Sequence, residues 1–554
     1  MSKYLLTFAQ IKETHTFIMT NKQQNITTPY QENKAVIRTK EQERAELHKT
    51  IWRIANDLRG SVDGWDFKNY VLGMLFYRFI SEDITKYADR LAKNSGDENF
   101  SYEMLSDKEA LNGKKTMVDE KGYFILPSEL FANVQKQATQ NENLNITLTN
   151  IFKNIEESAK GTQSEHDLKG LFSDIDANSN KLGATVKQRN EKLVKILDAI
   201  ASLDLGADIN ETLNDTFGDA YEFLMAMYAS NAGKSGGEFF TPQEVSRLLT
   251  LIAIAGRKRI NKAYDPACGS GSLLLQFKKI MKADCPNLYG QEINITTYNL
   301  CRINMFLHGM GFDKFDIQHG DTLLEPKHLE LEPFDAIVSN PPYSIKWAGR
   351  TNPLLINDSR FSPAGVLAPA SKADLAFVMH ILSWLSTDGT AAIVEFPGVL
   401  YRGQAEKTIR EYLISHNYVD TVIQLTDNLF FGVSIATCII VLKKSKKDAN
   451  ILFIDASQEF VHEGNKNKLS EENIQKIYST HRDRKEIKHF SLLVSNDDIL
   501  NNEANLSVSS YIEPKDQQEK IDIRELNANL VAIEERQQTL RKEIKKIVAE
   551  LETA

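Results

Sequence analysis

Four consecutive residues, Asn340-Pro341-Pro342-Tyr343, combine an amide, two rigid imino acids and an aromatic ring. They follow the apolar run Phe334-Asp335-Ala336-Ile337-Val338, which reads as a buried strand ending in a stiff turn. Each proline fixes its own φ and removes a backbone donor, so the carbonyls and the Asn340 side chain are held in one arrangement. Such a corner offers hydrogen-bond acceptors to an exocyclic amino group, beside a ring on which a flat heterocycle can stack. That is a pocket for a planar amine. A turn that merely ends a strand fits the same four residues equally well, so the surrounding sequence has to decide.

Asp265-Pro266-Ala267-Cys268-Gly269-Ser270-Gly271-Ser272 lies between an apolar strand and a helix starting near Leu273. Glycines there let the backbone approach a ligand closely and present amide donors at a helix N-terminus. The third glycine of the dinucleotide fingerprint and a phosphate-clamping lysine are both missing, so a pyrophosphate is not the favoured ligand. Glu292 closes the second strand, where an acidic side chain takes a ribose diol, and Asp321, in Gly320-Asp321-Thr322, closes the third and could bind an adenine edge. One acidic residue after a strand is usually a helix cap. Three in succession coincide with the strand C-termini, where open α/β sheets bind ligands. Upstream, Gly237-Glu238-Phe239-Phe240-Thr241-Pro242, followed by Gln243, sets two aromatics in a tight turn before a helix, with Pro242 suited to its first position. Those rings either pack or cover the methionyl end of a bound sulfonium.

The elements that must position these residues begin near residue 235, where short apolar runs alternate with helical stretches. Strands are expected to end at Asp265, Glu292, Gly320 and Asn340 and to recur at 391–396, 419–425 and 436–443. This alternation predicts βαβ units and a parallel sheet covered on both faces. Only Thr426 to Ile435 separates the last two strands, too short for a helical crossover, so they are expected to pair antiparallel at the sheet edge. Before this region, helical patterning starts at Thr39 and runs through Leu47, Ile51, Trp52 and Leu58. A second helix, Phe67 through Ile84, is apolar nearly all round and belongs inside a bundle. Loops are expected around 93–100 and 107–122. After it, Ile523, Leu526, Leu530, Ile533, Gln537, Leu540, Ile544, Ile547 and Leu551 alternate spacings of three and four. This is an a/d seam with charged flanks, which favours a partner helix over packing on its own protein. The expected divisions are a mobile extension over 1–38, a helical domain over 39–230, a catalytic domain over 231–455, a C-terminal extension over 456–514 and a coiled-coil-like docking helix over 515–554.

Bulk properties narrow the class. The chain has 554 residues, 42% hydrophobic and 25% charged, an ordinary globular balance that allows several domains. It lacks an uncharged apolar run long enough to span a bilayer, and Tyr4 to Phe8 is too short for a signal-peptide core. Four cysteines, Cys268, Cys285, Cys301 and Cys438, lack metal-ligand spacing and suit a reducing cytoplasm. Asp174 to Asn180 lacks the glycine and glutamate of a calcium loop, and no metal site is expected. The net charge of −9 means that, if nucleic acid is the substrate, basic patches or a partner must supply much of the phosphate attraction.

Taken in order, the Phe-Phe-Thr-Pro turn, the Asp265 loop, Glu292, Asp321 and Asn340–Tyr343 resemble the amino-methyltransferases that use S-adenosylmethionine. More closely, the chain resembles the modification (methylation) subunit of type I restriction-modification systems. Trp52, Leu58-Arg59-Gly60, Gly64-Trp65-Asp66-Phe67 and Leu72 to Arg78 match that family's helical N-terminal domain, and Gly236 to Leu249, Asp265 to Leu274 and Asn340 to Tyr343 its catalytic motifs. The likeness spans about residues 39 to 554.

The resemblance implies a Rossmann-like α/β methyltransferase fold with a seven-stranded mixed sheet, an all-α N-terminal domain and a C-terminal coiled-coil tail. It implies direct methyl transfer from S-adenosylmethionine to adenine N6 in double-stranded DNA. Asn340 and the Pro341 carbonyl accept from the amine, Pro342 stiffens the turn and Tyr343 stacks on an extruded base. Phe430 or Phe431 would supply a second ring. The cofactor set is Glu238, Phe239, Phe240, Thr241, Pro242, Gln243, Asp265, Gly269, Ser270, Gly271, Ser272, Glu292 and Asp321. Expected partners are a specificity subunit, a second modification subunit and a restriction subunit, with no membrane. Rival readings are a protein glutamine methyltransferase, a cytosine N4 enzyme and a non-catalytic scaffold. The large helical domain, Asn340 ahead of Pro-Pro-Tyr, and the intact acidic residues argue against them in turn.

Overall fold

The computed structural model describes residues 48–50, 66–203, 212–231, 241–430, 433–464, 466–513 and 523–552. Expectations for residues 1–38, Trp52, Leu58–Gly60, Glu238, Phe239, Phe240 and Phe431 lie outside them.

Parallel strands buried on both faces read as near-continuous apolar runs, and those runs build the centre of a nine-stranded sheet. Its strands are β1 (Lys262–Asp265), β2 (Asn287–Glu292), β3 (Phe315–His319), β4 (Phe334–Ser339), β5 (Leu385–Glu395), β6 (Val419–Gln424), β7 (Cys438–Lys443), β8 (Asn450–Asp455) and β11 (Ser491–Ser495). Between the last two, β9 (Val461–Glu463) and β10 (Lys466–Lys468) pair as a separate two-stranded unit. The order is β11-β8-β6-β7-β5-β4-β1-β2-β3. All seven expected strands are present, and β8 and β11 extend the sheet.

β6 and β7 do pair antiparallel, but the edge placement is corrected. β6 also pairs in parallel with β8, and β8 pairs antiparallel with β11, so the pair lies inside the sheet and β11 takes the edge. The apolar run Ile451-Leu452-Phe453-Ile454 is fully buried and supplies the extra partner. The loop expected over 107–122 is also corrected. Asp107–Ala110 and Lys114–Lys121 are helical, the first started by a capping box between Ser106 and Glu109.

Helices cover both faces. On one side Gln243–Ile254, Ser272–Met281 and Ile295–Leu307 join the N-terminal helices in one continuous core, which includes Leu72, Leu75 and Phe76 of the helix Asp66–Asn94. The opposite core contains Asp374–Trp384 and Ala405–Ser415. Arg302 ties the N-terminal helices to the helix Ile295–Leu307 within the first of these cores. Its guanidinium donates to the carbonyls of His166, Asp167 and Lys169 at 2.9–3.1 Å. The helical region is therefore anchored to the helix that follows the Glu292 strand. Among the described residues no helix is long and apolar enough to cross a membrane.

Candidate active site

The chain runs β1-β2-β3 in one direction across the sheet and returns to β4 on the other side of β1, then continues to β5. Between β1 and β4 the order reverses. Outside the carboxyl ends of strands flanking such a switch, loops diverge and leave a crevice. Asp265 ends β1 and Asn340 directly follows β4, so the two chemically suggestive segments open onto the same crevice.

Hydrogen bonds lace the segments together. Ser339 Oγ donates to Asp265 Oδ1 at 2.9 Å, joining the strand before the Asn-Pro-Pro-Tyr corner to the glycine loop. Asp265 Oδ1 also accepts from the Ala267 amide at 3.0 Å. Glu292 accepts from the Gly269 amide at 3.0 Å and the Asn294 amide at 2.8 Å, so its carboxylate closes the loop against β2. Thr322 Oγ1 donates to the Pro266 carbonyl at 2.6 Å, which brings the Asp321 segment to the same loop. Asp321 itself accepts from the Leu323 and Leu324 amides at 2.9 and 3.3 Å. These bonds close a turn rather than cap a helix, and they engage one carboxylate oxygen, Oδ1.

The loop is shaped for close approach. Gly271 has φ +79° and caps the helix Ser272–Met281, and a Cβ there would lie 2.7 Å from Cys301 Sγ. Two polar atoms in it, Asp265 Oδ2 and Ser270 Oγ, are buried without a hydrogen-bond partner among the described residues. An unpaired buried polar atom costs free energy, and a ligand with donors and a cationic group would recover it. Burial pushes the Asp265 carboxyl up to about 7, against 3.8 for the free side chain. Burial also raises Glu292, although the amides of Asn294 and Gly269 oppose it.

The sign of the Asp265 shift makes a stability prediction. A raised carboxyl pKa means the folded state binds the proton more tightly, so folding stability from this group falls as pH rises from about 4 to about 7. Asp265→Asn removes that dependence. Cofactor-free wild type should lose more melting temperature between pH 5.5 and pH 8 than the Asn variant. Equal losses in thermal melts would remove the buried charge from the account.

At the Asn-Pro-Pro-Tyr corner, Asn340 is braced on both sides of its amide. Its Nδ2 donates to Thr241 Oγ1 at 3.1 Å, and its Oδ1 accepts from the Tyr343 hydroxyl at 2.6 Å. Tyr343 is half-buried against the core. The next residue, Ser344, has φ +52°, a left-handed conformation unusual for a residue with a Cβ. Its amide donates to Asp374 Oδ1 at 2.9 Å, which holds the turn on the start of the helix Asp374–Trp384. Glu395 ends β5 beside β4 and is buried, and its desolvation, with Asp374 nearby, holds its carboxyl well above the ordinary range.

The structure therefore gathers Thr241, Asp265, Gly269, Ser270, Gly271, Glu292, Asp321, Asn340 and Tyr343 along one end of the sheet. Gln243 lies one step removed, its amide accepting from Gln276, and Pro242 is the N-cap of the helix Gln243–Ile254. Phe430 is fully buried in the core, which corrects its reading as a second stacking ring. Ser339 and Asp374 escaped sequence reasoning. They act on partners 74 and 30 residues away, and neither has a local spacing that announces it.

Comparison with known proteins agrees with this geometry. Residues 212–520 match the family described as N-6 DNA Methylase, and residues 47–200 match the HsdM N-terminal domain. The chain is 48% identical over 530 residues to the type I restriction enzyme MpnII methylase subunit of Mycoplasma pneumoniae, covering 92% of this chain and 97% of that protein. It is 34% identical over 355 residues to the MjaVIII methylase subunit of Methanocaldococcus jannaschii, 60% of each chain. A solved type I restriction-modification methyltransferase subunit from Streptococcus thermophilus superposes with a TM-score of 0.77 at 36% identity, over 85% of this chain and 100% of that one. With more than half its length in the N-6 DNA methylase family and the HsdM domain ahead of it, this chain belongs to the methylase subunits of type I restriction-modification systems.

Proposed function

We propose that the chain transfers a methyl group from S-adenosylmethionine to N6 of an adenine turned out of duplex DNA, at sites chosen by a separate specificity subunit. The observation that carries the reading is the joining of an amide-bearing corner to a glycine loop by the Ser339–Asp265 hydrogen bond at 2.9 Å, at the point where the strand order reverses.

When bound, S-adenosylmethionine supplies an electrophilic methyl on a sulfonium. The unpartnered Asp265 Oδ2 and Ser270 Oγ fit its polar amino-acid end, Glu292 its ribose hydroxyls and Asp321 its adenine edge. Gly269, Gly271 and Ser272 shape the loop, and the family resemblance adds Glu238, Phe239, Phe240, Pro242 and Gln243 to the cofactor set.

An exocyclic amine is a poor nucleophile because its lone pair conjugates with the ring. Asn340 Oδ1 has room for a second donor beside Tyr343, and with the Pro341 carbonyl it accepts from the amine and localises the pair on nitrogen. Pro341 and Pro342 hold that arrangement, and the Tyr343 ring offers a stacking face. With the cofactor held by the loop, this corner would leave the amine nitrogen free to take the methyl group in place of a proton, which would pass to solvent. Positioning and electrostatics carry most of the rate, without a general base before attack.

The same reading assigns the duplex, a specificity subunit, a second modification subunit and a restriction subunit as partners. Four free thiols support a reducing, cytoplasmic setting. Glu292→Ala tests the cofactor assignment. It should weaken S-adenosylmethionine binding at least about ten-fold in calorimetry, because a carboxylate that accepts charge-assisted hydrogen bonds is lost. Unchanged affinity would take Glu292 out of the site.

A further inference from the structure

We propose that Thr241 is a positioning residue for methyl transfer, its hydroxyl holding the Asn340 amide in the plane from which it receives the amine. This rests on the reading of Asn340 as the amine acceptor and deepens it.

A free asparagine amide turns broadly about its last torsion, and a freely turning acceptor must be ordered at the moment of reaction. Here a hydroxyl stands on each side, Thr241 Oγ1 at 3.1 Å from Nδ2 and the Tyr343 hydroxyl at 2.6 Å from Oδ1. The two braces are unequal in kind. Tyr343 lies in the same turn as Asn340 and moves with it. Thr241 lies 99 residues away in sequence, is only 5% exposed, and is seated on a rigid support. The Pro242 carbonyl accepts from the Ser246 amide at 2.9 Å, opening the helix Gln243–Ile254. Val245, Leu248, Leu249 and Ile252 of that helix are fully buried. Thr241 thus refers the orientation of Asn340 to the core. A preorganised polar group of this kind costs no reorganisation during the reaction.

The position also separates two roles that sequence cannot. A threonine ahead of Pro242 reads as part of the cofactor turn, yet its hydroxyl oxygen accepts from Asn340, the residue read as the amine acceptor. Loss of that hydroxyl should therefore lower the rate of the chemical step rather than cofactor affinity.

The test uses the modification subunits assembled with their specificity subunit, saturating tritiated S-adenosylmethionine, and genomic DNA from a host without the system. Single-turnover methylation is measured for Thr241→Val, Thr241→Ser and Tyr343→Phe, with cofactor affinity by calorimetry and melting temperature for each. Thr241→Val keeps shape and loses the hydrogen bond, and its rate should fall about ten-fold with cofactor affinity within about three-fold. Thr241→Ser keeps the hydroxyl and should recover most of the rate. Tyr343→Phe keeps the ring and removes the other brace, so a rate loss with unchanged cofactor affinity is expected there too, which keeps the test open if Thr241→Val fails to fold. A Thr241→Val rate within two-fold of wild type overturns the proposal, as does weakened cofactor binding with an unchanged rate. Should Asn340→Ala itself retain methylation, the parent reading fails. If Asn340→Ala is inactive while Thr241→Val is not, only the brace fails.

Discussion

Asn340→Ala is expected to lower methylation by at least about 100-fold while leaving S-adenosylmethionine affinity within a few-fold. The split follows from where the side chain sits. Its amide contacts Thr241 and Tyr343, whereas the contact from this corner to Asp265 is made by Ser339, the preceding residue. Alanine therefore removes the acceptor that would draw electron density onto the amine and leaves the loop, Glu292 and Asp321 in place. Removing one preorganised transition-state contact typically costs about 10²–10³ in rate. Tritium transfer to DNA by the assembled variant measures this directly. Full methylation by Asn340→Ala would refute the assignment of the corner, whatever the cofactor does.

Deleting residues 515–554 is expected to abolish co-purification with the specificity subunit and to leave a folded, cofactor-binding core. The nine-stranded sheet ends at β11, and Ile512 is the last of the described residues buried in the core. What the deletion removes is the helix Ile523–Glu552, on which Leu530, Ile533, Leu540 and Ile544 are 51–64% exposed. Their spacing of three and seven and four places them on one stripe of the helix. Burying each such side chain against a partner is worth about 1.5–3 kcal/mol, enough together to make this stripe a principal contact. Size-exclusion chromatography of the co-expressed subunits reads the outcome. Retained assembly would count against the tail as the docking element.

Much of this arrangement was legible in sequence because its strands are short apolar runs and the acidic and amide residues proposed to bind ligands stand at their ends. β1 and β2 end at Asp265 and Glu292 as the alternation predicts, and β3 and β4 end one residue before Gly320 and Asn340. The sheet edge was not legible. Asn450–Asp455 is as apolar as its neighbours, but nothing local shows that it returns in parallel to β6. Register between distant strands is a tertiary property. The short helices over 107–121 did carry a local signal, Ser106 three residues ahead of Glu109, which is a capping box.

Within the site, residue types pointed to chemistry but not to each other. Asn340, Asp265 and Glu292 announced themselves by type and by their place after strands. Thr241 read as a member of the cofactor turn, and only the fold shows its hydroxyl against Asn340. Asp374, which no local spacing singles out, lies in the first turn of the helix Asp374–Trp384, a favourable place for its charge. In the structure it reaches back to hold Ser344 in a left-handed conformation. Such links depend on the crossing of β4 past β1, which no local pattern encodes.

Mapping of N6-methyladenine in genomic DNA bears most directly on the central claim, that a stiffened amide corner beside a methyl donor acts on adenine. Cells carrying this chain with its partner subunits are compared with cells carrying the Asn340→Ala form. The account predicts one defined sequence bearing N6-methyladenine in the first and none in the second. Unmarked adenines in both, or a mark that survives Asn340→Ala, would contradict it.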